Sequence, residues 1–483
     1  MSTVGHNIKT GLFWSLAERV GTKAVQFILQ LILARILLPE DYGLCALLLA
    51  FINVATVLVD SGFSAALVQK KKASSIDFSS VFYISFSISL VFYFILFFIA
   101  PFIADFYADL RIVPLLRVLS ITLIIGSFNS VQLVVLKKRL QFKLLFKGNL
   151  VGITISAIVG IYMAYAGYGV WSIVIQYLVN RVVITIVLCS LVKWYPKIEF
   201  SYTEVKKLFD YGWKCMTTSF LSIIVTNIYT SVIGKAYSKT ELGLYDTGNK
   251  IPSTISETMN SSLINVLFPI FSKIQDDKIA IKKYVREMNM YSTFIIFPLM
   301  FGFAACSYPI IELILTHKWI GAVPFMQIAC LLYASYPLHT ANIQALNAIG
   351  RADVALKNEL QKKGIDVSLL FILLPLGIIW VALGRLLTSL IALYINMRPN
   401  KKFLNYSFME QLKDIERNFF ISLLAAGTMY FISFIYNGRI WLLLMLQLVM
   451  GTTIYFSLSY LFNRGLLIQF WNNTKKVNRH FSK

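Results

Sequence analysis

The sequence predicts an all-α integral membrane protein with about 14 transmembrane helices: two parallel six-helix repeats plus two additional C-terminal helices. Three observations predict it. Hydrophobic residues make up 57% of the 483 and charged residues only 14%, with a mean hydropathy of +0.69; a soluble chain carries roughly 25% charge. Apolar runs of spanning length follow one another with short loops between them. Each span needs ~20 mainly apolar residues, so the set takes roughly 280 and leaves no room for a soluble catalytic domain. Finally, a sequence element recurs at an offset of 200 residues.

The apolar runs fall near 12–36, 42–66, 78–104, 112–136, 148–167, 170–192, 209–233, 250–272, 291–316, 322–348, 364–382, 385–398, 418–437 and 440–463. Spans 1, 8 and 12 are more polar or shorter than the rest. The polar stretch Met1–Thr10 ahead of span 1 is not followed by a small-residue cleavage pattern, and it is expected to be retained. The loops fix the orientation. Segments placed inside, such as Lys70, Lys71 and Lys72 after span 2 or Lys137, Lys138, Arg139, Lys143 and Lys147 after span 4, hold 32 of the 45 Lys and Arg residues. The outer ends hold nine, among them Arg35, Arg111, Lys235, Lys239, Lys318 and Arg385. This asymmetry places both termini in the cytoplasm. Trp14, Trp194, Trp213 and Trp471 fall at inner span boundaries and Trp171, Trp319, Trp380 and Trp441 at outer ones, the positions of an interfacial aromatic belt.

Pro39–Cys45 matches Lys239–Tyr245, with Gly43 and Leu44 over Gly243 and Leu244. The loop after span 4 aligns with the loop after span 10, Leu136 over Leu346 and Lys147 over Lys357. An even number of spans per copy makes the repeats parallel, as in transporters whose substrate site lies between two halves. The expected organisation is an N-terminal lobe over 1–205, a C-terminal lobe over 206–400, and two further helices with a cytoplasmic tail over 401–483.

Polar side chains inside a bilayer are costly, so their pattern carries information. Arg19, Lys23, Gln26 and Gln30 form one stripe on span 1, and Asn53, Thr56 and Asp60 another on span 2. Ser253, Ser256 and Asn260 answer the second stripe at the repeat offset, while Asn129 and Gln132 of span 4 correspond to His339 and Asn342 of span 10. With Arg181 and Lys214, these residues are expected to line a central substrate cavity. Amides and hydroxyls of this kind also serve simply to join helices, and the alternative reading of Glu18 is that it neutralises Arg19 or Lys23. A cavity with more fixed cations than anions would attract an anionic group such as a phosphate.

No nucleic-acid partner is expected from the net charge of +22, because the basic residues sit in separate loop clusters. The five cysteines (45, 189, 215, 306, 330) show no disulfide or metal-ligand spacing. Asp276-Asp277 lies in a Lys-rich loop and reads as a solvated turn. There is no nucleotide-binding glycine loop and no nucleophile–base arrangement, so no cofactor, metal or catalytic residue is expected and the chain is not read as an enzyme.

Gly11–Ser15, Ala34–Gly43, Asp60–Gln69, Tyr168–Trp171 and Asn347–Asp353 together resemble the polysaccharide-transport flippases of the multidrug/oligosaccharidyl-lipid/polysaccharide (MOP) superfamily, over essentially the whole chain. The resemblance implies a bacterial inner-membrane protein that moves undecaprenyl-pyrophosphate-linked oligosaccharides to the periplasmic leaflet by alternating access. The product would be lipopolysaccharide, capsule or exopolysaccharide. Membrane lipids are the surroundings, polysaccharide polymerase and export machinery the implied partners, and a monomer the expected state. Related peptidoglycan-precursor flippases keep two arginines in span 1; Arg19 matches the first by position, and the second cation here is Lys23, four residues on. The resemblance also implies that spans 13 and 14 guide the lipid tail. Two other readings stay open: a cation-coupled multidrug exporter of the same fold, and a membrane glycosyltransferase or polymerase, which the short outer loops disfavour.

Overall fold

The computed structural model describes residues 2–70, 73–139, 141–274, 277–436 and 438–469. The side chains of Arg19, Asp60, Lys214 and Cys215, and the whole of Trp471, lie outside the described residues. All regular structure among the described residues is helical: α1 (Ser2–Ile36), α2 (Pro39–Gln69), α3 (Ser75–Tyr107), α4 (Ile112–Lys138), α5 (Phe142–Tyr165), α6 (Val170–Val192), α7 (Tyr202–Ala236), α8 (Lys239–Lys273), α9 (Lys278–Ala305), α10 (Ser307–Leu315), α11 (Val323–Ala334), α12 (Tyr336–Ala348), α13 (Ala352–Leu373), α14 (Ile378–Leu404), α15 (Phe408–Ile435) and α16 (Ile440–Phe462). Among the described residues, ten helical segments are long and apolar enough to cross a membrane: α2 to α6, α9, the run His317–Ala348, α14, α15 and α16.

Three expected spans are broken by local chemistry. The run 291–316 divides at Cys306 into α9 and α10, and the run 322–348 divides at Ser335 into α11 and α12, just before Pro337. The run 364–382 is not one helix. It passes through a 3-10 turn at Leu374–Leu376 and Gly377, whose φ of 117° suits only glycine, so Trp380 opens α14.

The chain separates into two compact units, Met1–Gly243 and Leu244–Lys483. In the first, α2 packs along α7, α5 along α6, α3 along α4 and α1 on α5. The α5–α6 contact follows from a stripe of small residues four apart, Gly148, Gly152, Ser156, Gly160 and Ala164, all buried. A methyl added at Gly152 would meet Ile184 at 2.3 Å, so only glycine allows this approach. Gly62 of α2 and Gly212 of α7 make a similar backbone contact. The first turn of α8 also packs with this unit: Lys239 donates to the Tyr107 carbonyl at 2.7 Å, and Gly43 and Gly243 lie against each other's segments.

At the C-terminal end of α2, Lys70 pairs with Asp77 at 2.8 Å and Glu204 at 2.7 Å, and Lys138 donates to the Leu67 and Lys70 carbonyls. Asp77 is fully buried and closes a capping box with Ser74, which fixes the start of α3. Burial opposes the charge of Lys70, but its hydrogen bonds to Asp77 and Glu204 prevail and raise its pKa. Hydrogen bonds from Lys207 and then Lys70 hold the Glu204 carboxyl down at about 2.

In the second unit α9 packs on α15, α15 on α16, α13 on α14, and α11 and α12 against both α9 and α14. Asp277 caps α9 by accepting from the Ile279 and Ala280 amides at 3.0 and 2.9 Å. Lys282 pairs with Glu410 at 3.1 Å and Arg286 with Asp414 at 2.5 Å, tying α9 to the start of α15. Trp319 does not belong to an interfacial belt: it is fully buried, whereas Trp380 and Trp441 are exposed.

Candidate functional site: a polar cavity in each unit

In the first unit, α2, α4 and α6 enclose a cavity of about 90 Å³. Asn53 and Thr56 face it from α2, Thr122 and Gly126 from α4, and Tyr177 and Arg181 from α6. Thr56 donates to the Ile52 carbonyl at 2.8 Å and Thr122 to Leu119 at 2.5 Å, so both hydroxyls are held by their own helices and present lone pairs. Among the described residues, Arg181 is the one cation in this lining, which therefore suits an acceptor-rich or anionic group.

One turn beyond Gly126 sits Asn129, 2% exposed, with neither amide atom hydrogen-bonded. Gln132 donates to the Trp194 carbonyl at 2.8 Å, joining α4 to the segment after α6, while its Oε1 has no partner. A buried amide atom left without a partner costs ~1–3 kcal/mol. On α1, Lys23 and Gln26 are exposed and Gln30 is half-buried; the Gln30 carbonyl accepts from Tyr42 at 2.9 Å. Glu18 accepts from Asn149 of α5 at 2.8 Å. None of these α1 residues lines the α2–α4–α6 cavity.

The second unit holds a larger cavity, about 250 Å³, walled by α11 to α14. His339 and Thr340 project from α12; Glu359, Lys362, Lys363 and Asp366 from α13; Arg385, Thr388 and Ser389 from α14. His339 is fixed from both ring nitrogens, by Asn396 at 3.0 Å and Ser335 at 3.3 Å, and Ser335 bonds Ser389 at 2.9 Å. Thr340 donates to Asn260 at 3.1 Å. Asn342 lies outside the cavity, donating to Leu338 at 2.8 Å and accepting from Asn400 at 2.5 Å. Lys362 pairs with Glu359 at 2.5 Å, and Arg385 donates to the Tyr245 hydroxyl at 2.9 Å.

Sequence reasoning missed the α13 wall. Glu359, Lys362, Lys363 and Asp366 follow a spacing of three, four and seven, a single helix face. The charge of Glu359, Lys362 and Lys363 placed them in a loop because the apolar window begins at residue 364, and Asp366 went unremarked inside it. Among the described residues, no group of three His, Cys, Asp or Glu could hold a metal ion.

A third cavity, about 430 Å³, is a groove between α9, α10, α15 and α16 with an almost wholly apolar wall, including Phe294, Pro298, Ala425, Met429 and Tyr455. Gly302 and Gly451 leave room in it; a methyl at Gly451 would meet Met429 at 2.2 Å.

The family model described as "Polysaccharide biosynthesis protein" matches residues 32–324, and the chain belongs to that family. It is 24% identical over 341 residues to the succinoglycan biosynthesis transport protein ExoT of Rhizobium meliloti, covering 71% of this chain and 69% of ExoT. It is 22% identical over 444 residues to the lipopolysaccharide biosynthesis protein WzxC of Escherichia coli, covering 89% and 88%. In fold it is similar to the lipid II flippase MurJ in an inward closed conformation, with TM-score 0.75 and 19% identity over 94% of this chain and all of that one. A multidrug-resistance MATE transporter of the MOP superfamily matches at TM-score 0.60 and 14% identity, over 81% of this chain and 96% of that one. The protein is thus a multi-pass membrane protein of the polysaccharide biosynthesis family, with the fold of MOP-superfamily transporters.

Proposed function

We propose that the protein is a flippase for undecaprenyl-pyrophosphate-linked oligosaccharides in the bacterial inner membrane, serving lipopolysaccharide, capsule or exopolysaccharide synthesis. The observation that carries this reading is that one unit, in a chain of this family, holds both an open polar cavity and an apolar groove. A lipid-linked sugar needs both: hydrogen-bonding groups for the glycan, and an apolar track for the polyprenyl tail along α9, α15 and α16. In this account α1, α7, α8 and α13 join the ten apolar segments to make 14 spans. Both termini are cytoplasmic, by the Lys and Arg distribution. The two units alternate access to a cationic site to which Arg19, Lys23, Arg181 and Lys214 contribute. ExoT and WzxC are named for polysaccharide biosynthesis, and the MurJ structure is titled a lipid II flippase; transport, not catalysis, is the role carried over.

The MATE-like fold also suits a multidrug exporter, whose cationic substrates call for a site dominated by carboxylates. Arg181 as the cation of the first cavity favours an anionic headgroup instead. Deleting the gene in a host with no second flippase should trap lipid-linked repeat units in the cytoplasmic leaflet and abolish the surface polysaccharide, with recovery on complementation. Normal polymer in the deletion strain would exclude the role.

A further inference from the structure

We propose that the cavity between α12, α13 and α14 is a subsite for one uncharged sugar residue of the substrate, distinct from any site for the pyrophosphate. The proposal rests on the flippase reading and refines it. Its wall is close to charge balance: Lys362, Lys363 and Arg385 face the carboxylates Glu359 and Asp366. With carboxylates beside the cations, an anion entering such a wall meets repulsion that offsets most of the attraction, whereas a polyol does not. Each sugar hydroxyl both donates and accepts, and this wall offers cationic donors, carboxylate acceptors and hydroxyls that do either.

The surroundings keep these groups in place. Lys362 is held against Glu359 at 2.5 Å with only 14% of its side chain exposed. Ser389 is fixed through Ser335 to the half-buried His339, and Arg385 is anchored on Tyr245. Tyr336 adds an aromatic ring at the lining, and its edge-on contact with Tyr333, centroids 4.8 Å apart, fixes the ring plane. An aromatic face beside paired acceptors and donors suits the mixed apolar and hydroxyl faces of a pyranose. At about 250 Å³ the space lies just below the range of drug-sized pockets, ~300–1,000 Å³, and fits a single sugar ring rather than an oligosaccharide. The cavity of the first unit is smaller, and among the described residues of its lining Arg181 faces no carboxylate.

The test uses the purified full-length protein in detergent, titrated with bare undecaprenyl pyrophosphate and with the same carrier bearing one glucose, galactose, mannose or N-acetylglucosamine. Two or three added hydrogen bonds should make at least one sugar-bearing probe bind roughly ten- to thirtyfold tighter than the bare carrier. Ala392→Leu, which fills the cavity, and Lys363→Gln, which removes a half-exposed donor without changing volume, should each erase that gain while leaving bare-carrier binding unchanged. A gain that survives both substitutions in folded protein overturns the subsite. So does bare-carrier binding that no sugar improves. Failure of every probe to bind, the bare carrier included, overturns the flippase reading itself.

Discussion

Gly43 and Gly243 align in the sequence element that recurs at an offset of 200 residues, and their packing makes a quantitative forecast. A Cβ on Gly43 would stand 1.8 Å from the Lys239 carbonyl oxygen and 2.9 Å from the Gly243 nitrogen; a Cβ on Gly243 would stand 1.9 Å from the Pro39 carbonyl oxygen. Ordinary contact is near ~3.5 Å, so either alanine must separate the first turns of α2 and α8 by about 1.5 Å. The opposing atoms are backbone, and no rotamer change relieves the overlap. Overpacking of this kind costs ~1–3 kcal/mol, and a backbone clash belongs at the upper end. For a unit of this size that lowers the melting temperature by about 4–10 °C. The two contacts are reciprocal, so one displacement accommodates both methyls. Gly43→Ala/Gly243→Ala should therefore melt close to either single variant instead of at the sum of their losses. Thermal unfolding of the purified variants in one detergent reads this directly. Single variants within a degree of wild type, or a double variant that loses the full sum, would refute the reasoning.

Asn129→Leu should raise stability by about 1–2 kcal/mol, since it removes two buried amide atoms that have no partner; a lower melting temperature would show that the amide is satisfied. Glu204 has its carboxyl held near 2 against an ordinary 4.5, so its pairing with Lys207 and Lys70 stabilises the fold above about pH 4.5 and is lost as pH falls toward 2. Glu204→Gln should thus melt below wild type at neutral pH, with the gap closing through that acid window; a gap independent of pH would contradict the pairing. If Arg19 and Lys23 grip a pyrophosphate, Arg19→Gln and Lys23→Gln should each weaken substrate binding about ten- to a hundredfold and cripple export from folded protein, with Arg19→Lys retaining part of it. Glu18 already accepts from Asn149, so a Glu18→Gln/Arg19→Gln variant that exports normally would mark Arg19 as a charge balance for Glu18. The corresponding Glu18→Gln/Lys23→Gln result would do the same for Lys23.

The all-helical membrane architecture was legible because hydropathy integrates over a whole span, and a chain this apolar has few alternatives. Turn positions inside continuous apolar sequence were not. Leu373–Trp380 contains no polar residue, so only Pro375 and Gly377 mark the turn between α13 and α14. Trp319 illustrates the converse: its place beside a loop suggested the interface, but the 3-10 turn His317–Ala322 folds it into the interior. Asn53, Arg181 and His339 were noticed because a polar residue stands out in an apolar run, and the structure sets them in cavity walls. The charged face of α13 escaped notice for the opposite reason: a helix segment that is half charged looks like a loop to any hydropathy window. Asn129 and Gln132 show the limit of polarity as a signal. One is buried without partners and the other braces a neighbouring segment, a difference that depends on tertiary packing alone.

The account rests on movement of a lipid-linked sugar across a bilayer, and reconstitution measures that step in isolation. Proteoliposomes loaded with undecaprenyl-pyrophosphate-linked saccharides from the deletion strain would be treated with a membrane-impermeant glycosidase, and the cleaved fraction followed over time. The account predicts that vesicles carrying the protein pass from cleavage of the outer leaflet's share, about half, toward full cleavage within minutes, while protein-free vesicles stay at half. Equal cleavage in both, with the protein shown to be folded and inserted, would contradict it.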